Sequence, residues 1–385
     1  MSGQRQTLFA PPGPAPQPEN RAQLGLVARA DHRQCWAATL PELADITIAE
    51  LKTIGIAAQS QQGGVAFEAT PLQWDVLVGG LRTAEQVLAR LGNVVLNRPG
   101  DVEDLWAQLR AAGWLPPRQV PDAVVHAKVH TTAKAAWLTH LVGTPPPQDR
   151  EAARWVIHLT VHPKQVAVSL DMAGYPLAER GYRLEPGDAP LRPTLAAALL
   201  QWAGLRPGQT VWDPLCGSGT LAIEAALAGH PYRARPWVAL SLPNRPPARA
   251  HTTVPAKTQV LAGDLDPEAV ARTGRNAARA GVADQLQLAT REMGAWPPGP
   301  PIDLVASNLP WGVRLGTRAQ ARRLAQRWAA CVRRSAPGAQ AAVVIAEPQL
   351  ADELGLSKSE VRKSRNGGQA VWLVRGQVAG GQVRP

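Results

Sequence analysis

The sequence predicts a doubly wound α/β domain in its C-terminal half, preceded by a smaller α+β unit. Val211–Gly229 (VWDPLCGSGTLAIEAALAG) reads as a strand end, a small-residue loop and a helix, the first βα unit of such a sheet. Strand and helix patterns then alternate from Gln259 to Ala346. Ahead of them, residues 35–91 read as strand, helix, strand and helix, which indicates a ferredoxin-like unit.

Length and composition limit the classes of protein. The chain has 385 residues, enough for two or three domains, and its net charge of +11 favours a polyanionic partner, with nucleic acid ahead of an acidic membrane. The alternative explanation of this charge is an arginine-biased proteome, whose proteins are all basic whether or not they bind a polyanion. Three separated cysteines without a CxxC pair argue against disulfides and zinc and for a reducing cytoplasm. No apolar run approaches membrane-span length, and no secretory signal is recognisable.

The first residues are expected to be disordered, and structure begins after them. Residues 1–30 are polar and rich in proline, which predicts a flexible tail. The N-terminal unit then has four predicted elements in order: strand Cys35–Leu40, helix Pro41–Ile54, strand Val65–Glu68 and helix Trp74–Leu91.

The next stretch supplies further elements and a basic cluster. The predicted elements are helix Asp101–Ala112, strand Val124–Val129, helix Thr131–Val142 and a strand pair, Trp155–Val161 with Gln165–Leu170. Five basic or imidazole residues crowd this region: His126, Lys128, His130, Lys134 and His140. Their spacing matches no zinc pattern, so metal ligation is disfavoured. A solvated polar face and an RNA phosphate-contacting face both remain open.

The C-terminal half begins with the helix Ala189–Gly204. Residues 230–258 contain many Pro and Arg residues and no acidic residue, which indicates a long functional loop or an insertion. A mobile surface loop of no consequence is the alternative. The later predicted strands are Gln259–Gly263, Leu286–Ala289, Ile302–Ala306, Ala341–Ala346 and, at the edge, Val371–Val374. The predicted helices between them are Pro267–Ala280 and Thr317–Arg334.

The glycine loop has the features of a site for a zwitterionic ligand. Gly217 and Gly219 carry no Cβ, so a ligand can lie on the backbone. The N–H groups of the following helix, which Thr220 is predicted to cap, favour a carboxylate or phosphate. Asp213 adds a negative charge that suits an ammonium, and the third glycine of the dinucleotide fingerprint is missing. A cofactor with both groups fits, which points to S-adenosylmethionine.

Two further strand ends are predicted on the same rim. Asp264 follows the second strand, where an acidic residue accepts hydrogen bonds from ribose hydroxyls. Asn308-Leu309-Pro310-Trp311-Gly312 follows the fourth and matches the pattern of methyltransferases that act on a ring-conjugated nitrogen. The Asn308 oxygen can accept the amine's hydrogens as positive charge develops, and Trp311 offers a stacking face for a flipped base. Correct positioning of the base and the cofactor then accounts for most of the rate acceleration.

Three stretches carry a resemblance to a known family: DPLCGSGTLAIEAA, GDLDPEAVARTGRNAARAG and DLVASNLPWGVRLG. They resemble the class I, S-adenosylmethionine-dependent RNA methyltransferases that carry a THUMP domain. The likeness extends to residues 178–204 and, near the N-terminus, to LPELADITIAEL, QQGGVAFEA and LRTAEQVLARLG. It implies a Rossmann-like, seven-stranded methyltransferase domain at 179–385, a THUMP RNA-binding domain at 96–178 and a ferredoxin-like segment at 31–95. The implied product is N2-methylguanosine.

The resemblance also implies roles for residues of matching type. Cofactor contacts are expected from Asp213, Pro214, Cys216, Gly217, Ser218, Gly219, Thr220, Asp264, Leu265, Glu292 and Asn308. Glu292 stands where the family usually has Asp near the adenine amine, and Pro193 stands where the linker motif has an acidic residue. The expected catalytic residues are Asn308, Pro310 and Trp311, and the Asn-Leu-Pro form favours guanine over adenine. RNA contacts are expected from Lys128, Lys134, Arg183 and Arg314.

The leading prediction is a guanosine-N2 methyltransferase of structured RNA, with the tRNA acceptor stem ahead of large-subunit rRNA. An adenine-N6 methyltransferase of RNA or DNA is the alternative enzyme. An RNA-binding protein with a degenerate catalytic domain is the alternative from another class, although the intact Asp213, glycine loop and Asn308 argue against it. We expect a monomer without a protein partner, a membrane or a metal.

Overall fold

The computed structural model describes residues 33–70, 73–74, 77, 80–96, 99–115, 124–130, 154–162, 165–187, 190–230, 256–296, 300–310 and 317–380. Within these ranges the chain forms two seven-stranded sheets. No helix in this described part is long and apolar enough to cross a membrane. The predictions for the tail 1–30, the helix Thr131–Val142 and most of the loop 230–258 lie outside the described residues.

The first sheet is built from strands of the N-terminal half. They are β1 (Arg33–Ala38), β2 (Ala58–Gln61), β3 (Gly64–Ala69), β4 (Gln86–Val94), β5 (Val124–His130), β6 (Arg154–Val161) and β7 (Val166–Asp171). Their order is β2-β3-β1-β4-β7-β6-β5, and every neighbouring pair is antiparallel except β5 with β6. Because β4 pairs with β7, the sheet runs across the boundary predicted at residue 95. The THUMP and ferredoxin-like assignments stay predictions.

One face of this sheet forms a core with helices α1 (Ala44–Thr53) and α2 (Pro99–Ala111). The inward residues alternate along each strand, as in Val87, Ala89 and Leu91 of β4. The predicted helix Trp74–Leu91 is therefore wrong over its second part, because residues 81–85 are irregular and β4 begins at Gln86. The polar strand β2 (AQSQ) carries no apolar signal that predicts it.

The second sheet has the order and directions of the predicted Rossmann-like methyltransferase fold. Its strands are β8 (Thr210–Asp213), β9 (Gln259–Asp264), β10 (Leu286–Thr290), β11 (Leu304–Asn308), β12 (Gln340–Ile345), β13 (Leu356–Asn366) and β14 (Gln369–Val378). They lie in the order β10-β9-β8-β11-β12-β14-β13, with the first five parallel and β14 antiparallel to both of its neighbours. The order reverses at β8, so a crevice forms between the carboxyl ends of β8 and β11.

Helices α3 (Pro193–Trp202), α4 (Thr220–Ala226), α5 (Pro267–Ala280), α6 (Arg318–Ser335) and α7 (Leu350–Glu353) accompany this sheet. Local signals explain the ends of α5: Asp266 caps it by accepting from Glu268 N at 2.9 Å, and Gly281 ends it at φ 73°. The prediction that Val371–Val374 is an edge strand is wrong, because β14 lies between β12 and β13. The charged sequence of β13 suits an exposed edge and hides its strand periodicity.

Candidate active site

Three of the predicted site residues leave adjacent strands at one edge of the second sheet. Asp213 ends β8, Asp264 ends β9 and Asn308 ends β11. Asp213 is in register with Ala262 of β9, and the preceding Trp212 is in register with Val305 of β11. Since parallel strands end at the same edge, the three polar side chains converge on the crevice where the strand order reverses.

Hydrogen bonds hold the glycine loop against the end of β9. Cys216 N donates to Gly263 O at 2.9 Å, and Gly217 N donates to Asp264 Oδ2 at 3.0 Å. The other carboxylate oxygen, Asp264 Oδ1, accepts from Asp266 N at 3.1 Å. Asp264 therefore positions the loop, a role in addition to the ribose contact that the sequence predicts.

The two glycines of the loop have different surroundings. Both have positive φ, 55° at Gly217 and 82° at Gly219. A Cβ at Gly217 would meet nothing within 4 Å, whereas a Cβ at Gly219 would lie 2.6 Å from Thr273 Cγ2 of α5. Gly219 is also the N-cap of α4, so the predicted capping by Thr220 is wrong. The buried Thr220 hydroxyl has no hydrogen-bond partner among the described residues.

Asp213 is a buried carboxylate without a cationic partner among the described residues. Its side chain is 1% exposed and accepts one backbone hydrogen bond, from Leu215 N at 3.3 Å. Burial, with a smaller contribution from the charge of Asp264, raises the pKa of Asp213 from 3.8 to about 8. An ammonium beside this carboxylate would offset its desolvation. The buried Asp213 carboxylate, the open space at Gly217 and the unsatisfied Thr220 hydroxyl together fit an amino-acid-like group.

The remaining predicted cofactor contacts lie farther along the rim. Leu265 is 66% exposed, which leaves an apolar surface open to an adenine ring. Glu292 follows β10, and its exposed carboxylate pairs with Arg327 of α6. Its contact with an adenine amine stays a prediction. Burial raises the pKa of the Cys216 thiol, so this thiol stays protonated and serves packing.

The linker before the second sheet reaches the glycine loop through α5. Asn276 Nδ2 donates to Glu185 O and to Ser218 O, both at 3.1 Å. The Glu185 carboxylate is held by Arg275 and Arg279. Asn276 is not among the residues predicted from the sequence. The available signal is a polar residue on the alanine-rich face of an otherwise charged helix, and the structure shows that it is fully buried.

A buried charged cluster joins the same linker to α4. Glu224 is fully buried, and its carboxylate accepts from Arg82 and from Tyr182 Oη, the latter at 2.8 Å. Arg180 Nε lies 3.4 Å from the carboxylate, and Arg180 Nη2 donates to Arg82 O at 2.5 Å. Sequence analysis missed this cluster too. The available signal is one acidic residue within the apolar helix TLAIEAA.

The turn after β11 is anchored in the core. Leu309 is 3% exposed, and its N–H donates to Val344 O of β12 at 3.1 Å. The flanking Asn308 is half-buried and Pro310 is exposed. The buried leucine thus anchors the turn, while the residues on either side of it stay partly or fully exposed at the end of β11.

Some predicted residues are not placed by the structure. Trp311, Arg314 and Lys134 lie outside the described residues. Lys128 belongs to β5 by its backbone, and its side chain is not described. Arg183 is half-buried and donates to Leu191 O, and burial lowers its pKa. RNA contacts by these residues stay predictions.

The fold and this rim define a methyltransferase of the Rossmann-like class, and S-adenosylmethionine is its cofactor. The chain belongs to the UPF0020 family, whose model, described as an RMKL-like methyltransferase domain, matches residues 180–374. The resemblance to methyltransferases drawn from the sequence is thereby confirmed.

Curated relatives share this sequence over part of their length. "Ribosomal RNA large subunit methyltransferase K/L" of Legionella pneumophila (strain Lens) is 35% identical over 266 residues, which are 65% of this chain and 38% of that protein. The protein of the same name from Alcanivorax borkumensis is 30% identical over 380 residues, covering 86% of this chain and 51% of its own length. The chain thus spans about half or less of these relatives.

Solved structures share the fold over nearly the whole chain. TrmN from Thermus thermophilus covers 90% of this chain and 99% of its own, at a TM-score of 0.59 and 22% identity. SMU.472, described as a putative methyltransferase complexed with SAH, covers 92% and 99%, at a TM-score of 0.65 and 19% identity. At these identities the likeness shows the fold alone.

Proposed function

We propose that the protein methylates the exocyclic N2 of a guanosine in RNA, with large-subunit rRNA ahead of tRNA. The observation that carries the chemistry is the position of Asn308 on the crevice rim, with its Asn-Leu-Pro turn anchored by Leu309. The names of the curated relatives support rRNA. They do not support the tRNA preference inferred from the sequence, so tRNA becomes the second candidate substrate.

Different residues of the rim would bind the cofactor and the guanine base. Asp213 would hold the cofactor's ammonium, the open backbone at Gly217 would lie against its methionine part, and Asp264 would hold its ribose. When bound, the cofactor supplies an electrophilic methyl group. Asn308 would accept the hydrogens of the guanine amine and stabilise the positive charge that develops on it, and Trp311 would stack on the base.

Transfer of tritium from labelled S-adenosylmethionine tests this proposal. The acceptors are rRNA and tRNA from a strain that lacks the gene, and the product is digested to nucleosides. We expect label in N2-methylguanosine of large-subunit rRNA. Label in tRNA alone would keep the chemistry and change the substrate. Label in N6-methyladenosine, or no label while the cofactor binds, would contradict the proposal.

The Asn308→Ala variant tests the assigned role. We expect kcat to fall by about 10²- to 10³-fold, as for loss of one preorganised group that stabilises charge, with cofactor affinity little changed. Gln287→Ala on the edge strand β10 removes an exposed amide elsewhere and serves as the control. Near-normal turnover of Asn308→Ala would exclude the positioning role.

A further inference from the structure

A groove of about 1300 Å³ opens on the outward face of the first sheet, and the methyl-transfer site does not use it. Residues that line it come from six strands and include Trp36 of β1, Gln59 of β2, Glu68 of β3, Gln86 of β4 and His158 of β6. The opposite face of the sheet forms the core with α1 and α2. Helices α1 and α2 therefore pack on the other face and do not cover the groove.

An aromatic ring lies in the groove against the sheet backbone. A Cβ at Gly64 of β3 would lie 2.2 Å from Ala37 O of β1 and 2.8 and 2.9 Å from Trp36 Cε2 and Cζ2. The missing Cβ lets the indole lie close to the strand, with its remaining surface toward the groove. Two neighbours on the same face, Ala38 and Ala66, are small. Together they leave room for a planar ring to stack on Trp36.

Amide side chains surround this ring. Six glutamines line the groove: Gln34, Gln59, Gln61, Gln62, Gln73 and Gln86. Each carries donors and an acceptor, the groups that pair with base edges. Among the described lining side chains only Glu68 and Arg90 have full charges, and these are of opposite sign. A nearly neutral surface suits base edges better than a phosphate backbone.

Buried polar contacts hold part of the groove in place. Gln86 Nε2 donates to Asp171 Oδ2 at 2.6 Å and lies 3.1 Å from His158 Nε2. Asp171 Oδ1 accepts from the backbone N–H groups of Ala173 and Gly174. His158 and Asp171 are 2% and 1% exposed. Gln86 is thus oriented before any ligand arrives, which lowers the entropy lost on binding.

We propose that this groove binds unpaired nucleotides of the substrate RNA, with a base stacked on Trp36 and base edges hydrogen-bonded by the glutamines. The inference rests on the proposed function, since it assumes an RNA substrate. A duplex would present phosphates to a surface with one arginine and one glutamate. An extended peptide pairs with a strand edge, whereas this groove lies on a sheet face.

Fluorescence anisotropy with the full chain tests the groove. The probes are a fluorescein-labelled single-stranded RNA of about six nucleotides and mixed sequence, and a blunt hairpin RNA without unpaired ends. We expect Trp36→Ala to weaken single-strand binding by about 10-fold or more, the usual loss for one base-stacking side chain. Trp36→Phe keeps a ring and should stay within about 3-fold of wild type. The control Gln287→Ala should bind the single-stranded RNA with wild-type affinity.

Three results would overturn the proposal. The first is wild-type affinity of Trp36→Ala for the single strand, and the second is no binding of the single strand by the wild type. The third is a loss of affinity of Trp36→Ala for the blunt hairpin equal to its loss for the single strand. The melting temperature and cofactor affinity of each variant exclude a general folding defect. If the proposed function is wrong, the wild type transfers no methyl group to RNA. If only the role of the groove is wrong, Trp36→Ala keeps the methyl transfer and the KM for RNA of the wild type.

Discussion

At the scale of single residues, the burial of Asp213 links cofactor binding to pH. Its pKa of about 8 lies above the ordinary value of 3.8, so its contribution to stability is full below pH 4 and is lost as pH rises through 8. We expect the cofactor-free protein to lose stability across this window, by about 1.4 kcal/mol per pH unit at most. Asp213→Asn should flatten the loss. Thermal unfolding against pH measures both.

The cofactor should reverse this effect, because an ammonium beside Asp213 favours its ionised form. Stabilisation by S-adenosylmethionine should therefore grow from pH 6 to 8 in the wild type and stay flat in Asp213→Asn. Asp284→Asn is the control, because Lys257 lowers the pKa of that exposed carboxyl and its titration lies at acid pH. Equal pH profiles for wild type and Asp213→Asn would exclude the ammonium contact.

The two loop glycines should respond differently to alanine. Gly217→Ala adds a Cβ into open space, so we expect a stability loss of about 1 kcal/mol from its positive φ and a large loss of cofactor affinity. Gly219→Ala adds the same backbone strain and a clash with Thr273, so it should lower the melting temperature further. Calorimetric titration with S-adenosylmethionine and thermal unfolding separate the two effects.

Gly281→Ala is the matched control for these glycines. Its φ is 73° and a Cβ there meets nothing within 4 Å, but it lies at the far end of α5. It should show the strain without the change in cofactor affinity. If Gly217→Ala binds the cofactor as Gly281→Ala does, the ligand does not lie on Gly217.

At the scale of elements, the Glu224 cluster ties α4 to the linker and to the loop before β4. Removing one member leaves a buried charge without its partner, so Arg82→Met should cost about 3–5 kcal/mol. Adding Glu224→Gln should recover part of that loss, because the stranded carboxylate is gone. Urea unfolding of the two single variants and the double variant measures the coupling.

The exposed pair Arg275 with Glu268 is the control for the buried cluster. Glu268→Gln should change stability by less than about 1 kcal/mol, because solvent screens that pair. Additive effects of Arg82→Met and Glu224→Gln would show that the two side chains act independently.

At the scale of the whole molecule, the net charge of +11 predicts salt-sensitive RNA binding. The affinity for full-length substrate RNA should fall steeply between about 50 and 200 mM salt, by roughly tenfold for every two or three phosphates contacted. Filter binding across this range measures the slope. A flat response would mean that the basic residues do not bind RNA. Several arginines of α6 are paired with acidic residues, so the slope should be smaller than the charge alone suggests.

The agreement between sequence and structure differs from element to element for physical reasons. Helix α5 matches its predicted bounds, because Asp266 and Gly281 mark its ends locally. Strand β4 lies partly within a predicted helix, because Leu88 of its outward face and Leu91 of its inward face are three residues apart, a helical spacing. Its pairing with β1 and β7 is distant in sequence. The charged edge strand β13 depends on β14 alone for its pairing.

The sequence by itself determined the five parallel strands of the second sheet, the glycine loop and the three strand ends of the rim, because these features depend on local turns, caps and the alternation of strand and helix. Tertiary structure alone decided which side chains meet across the chain. Glu224 contacts Arg82 at a separation of 142 residues, and the Trp36 ring lies beside Gly64 because β1 pairs with β3. Such contacts depend on strand order and helix packing, for which no short stretch of sequence carries a signal.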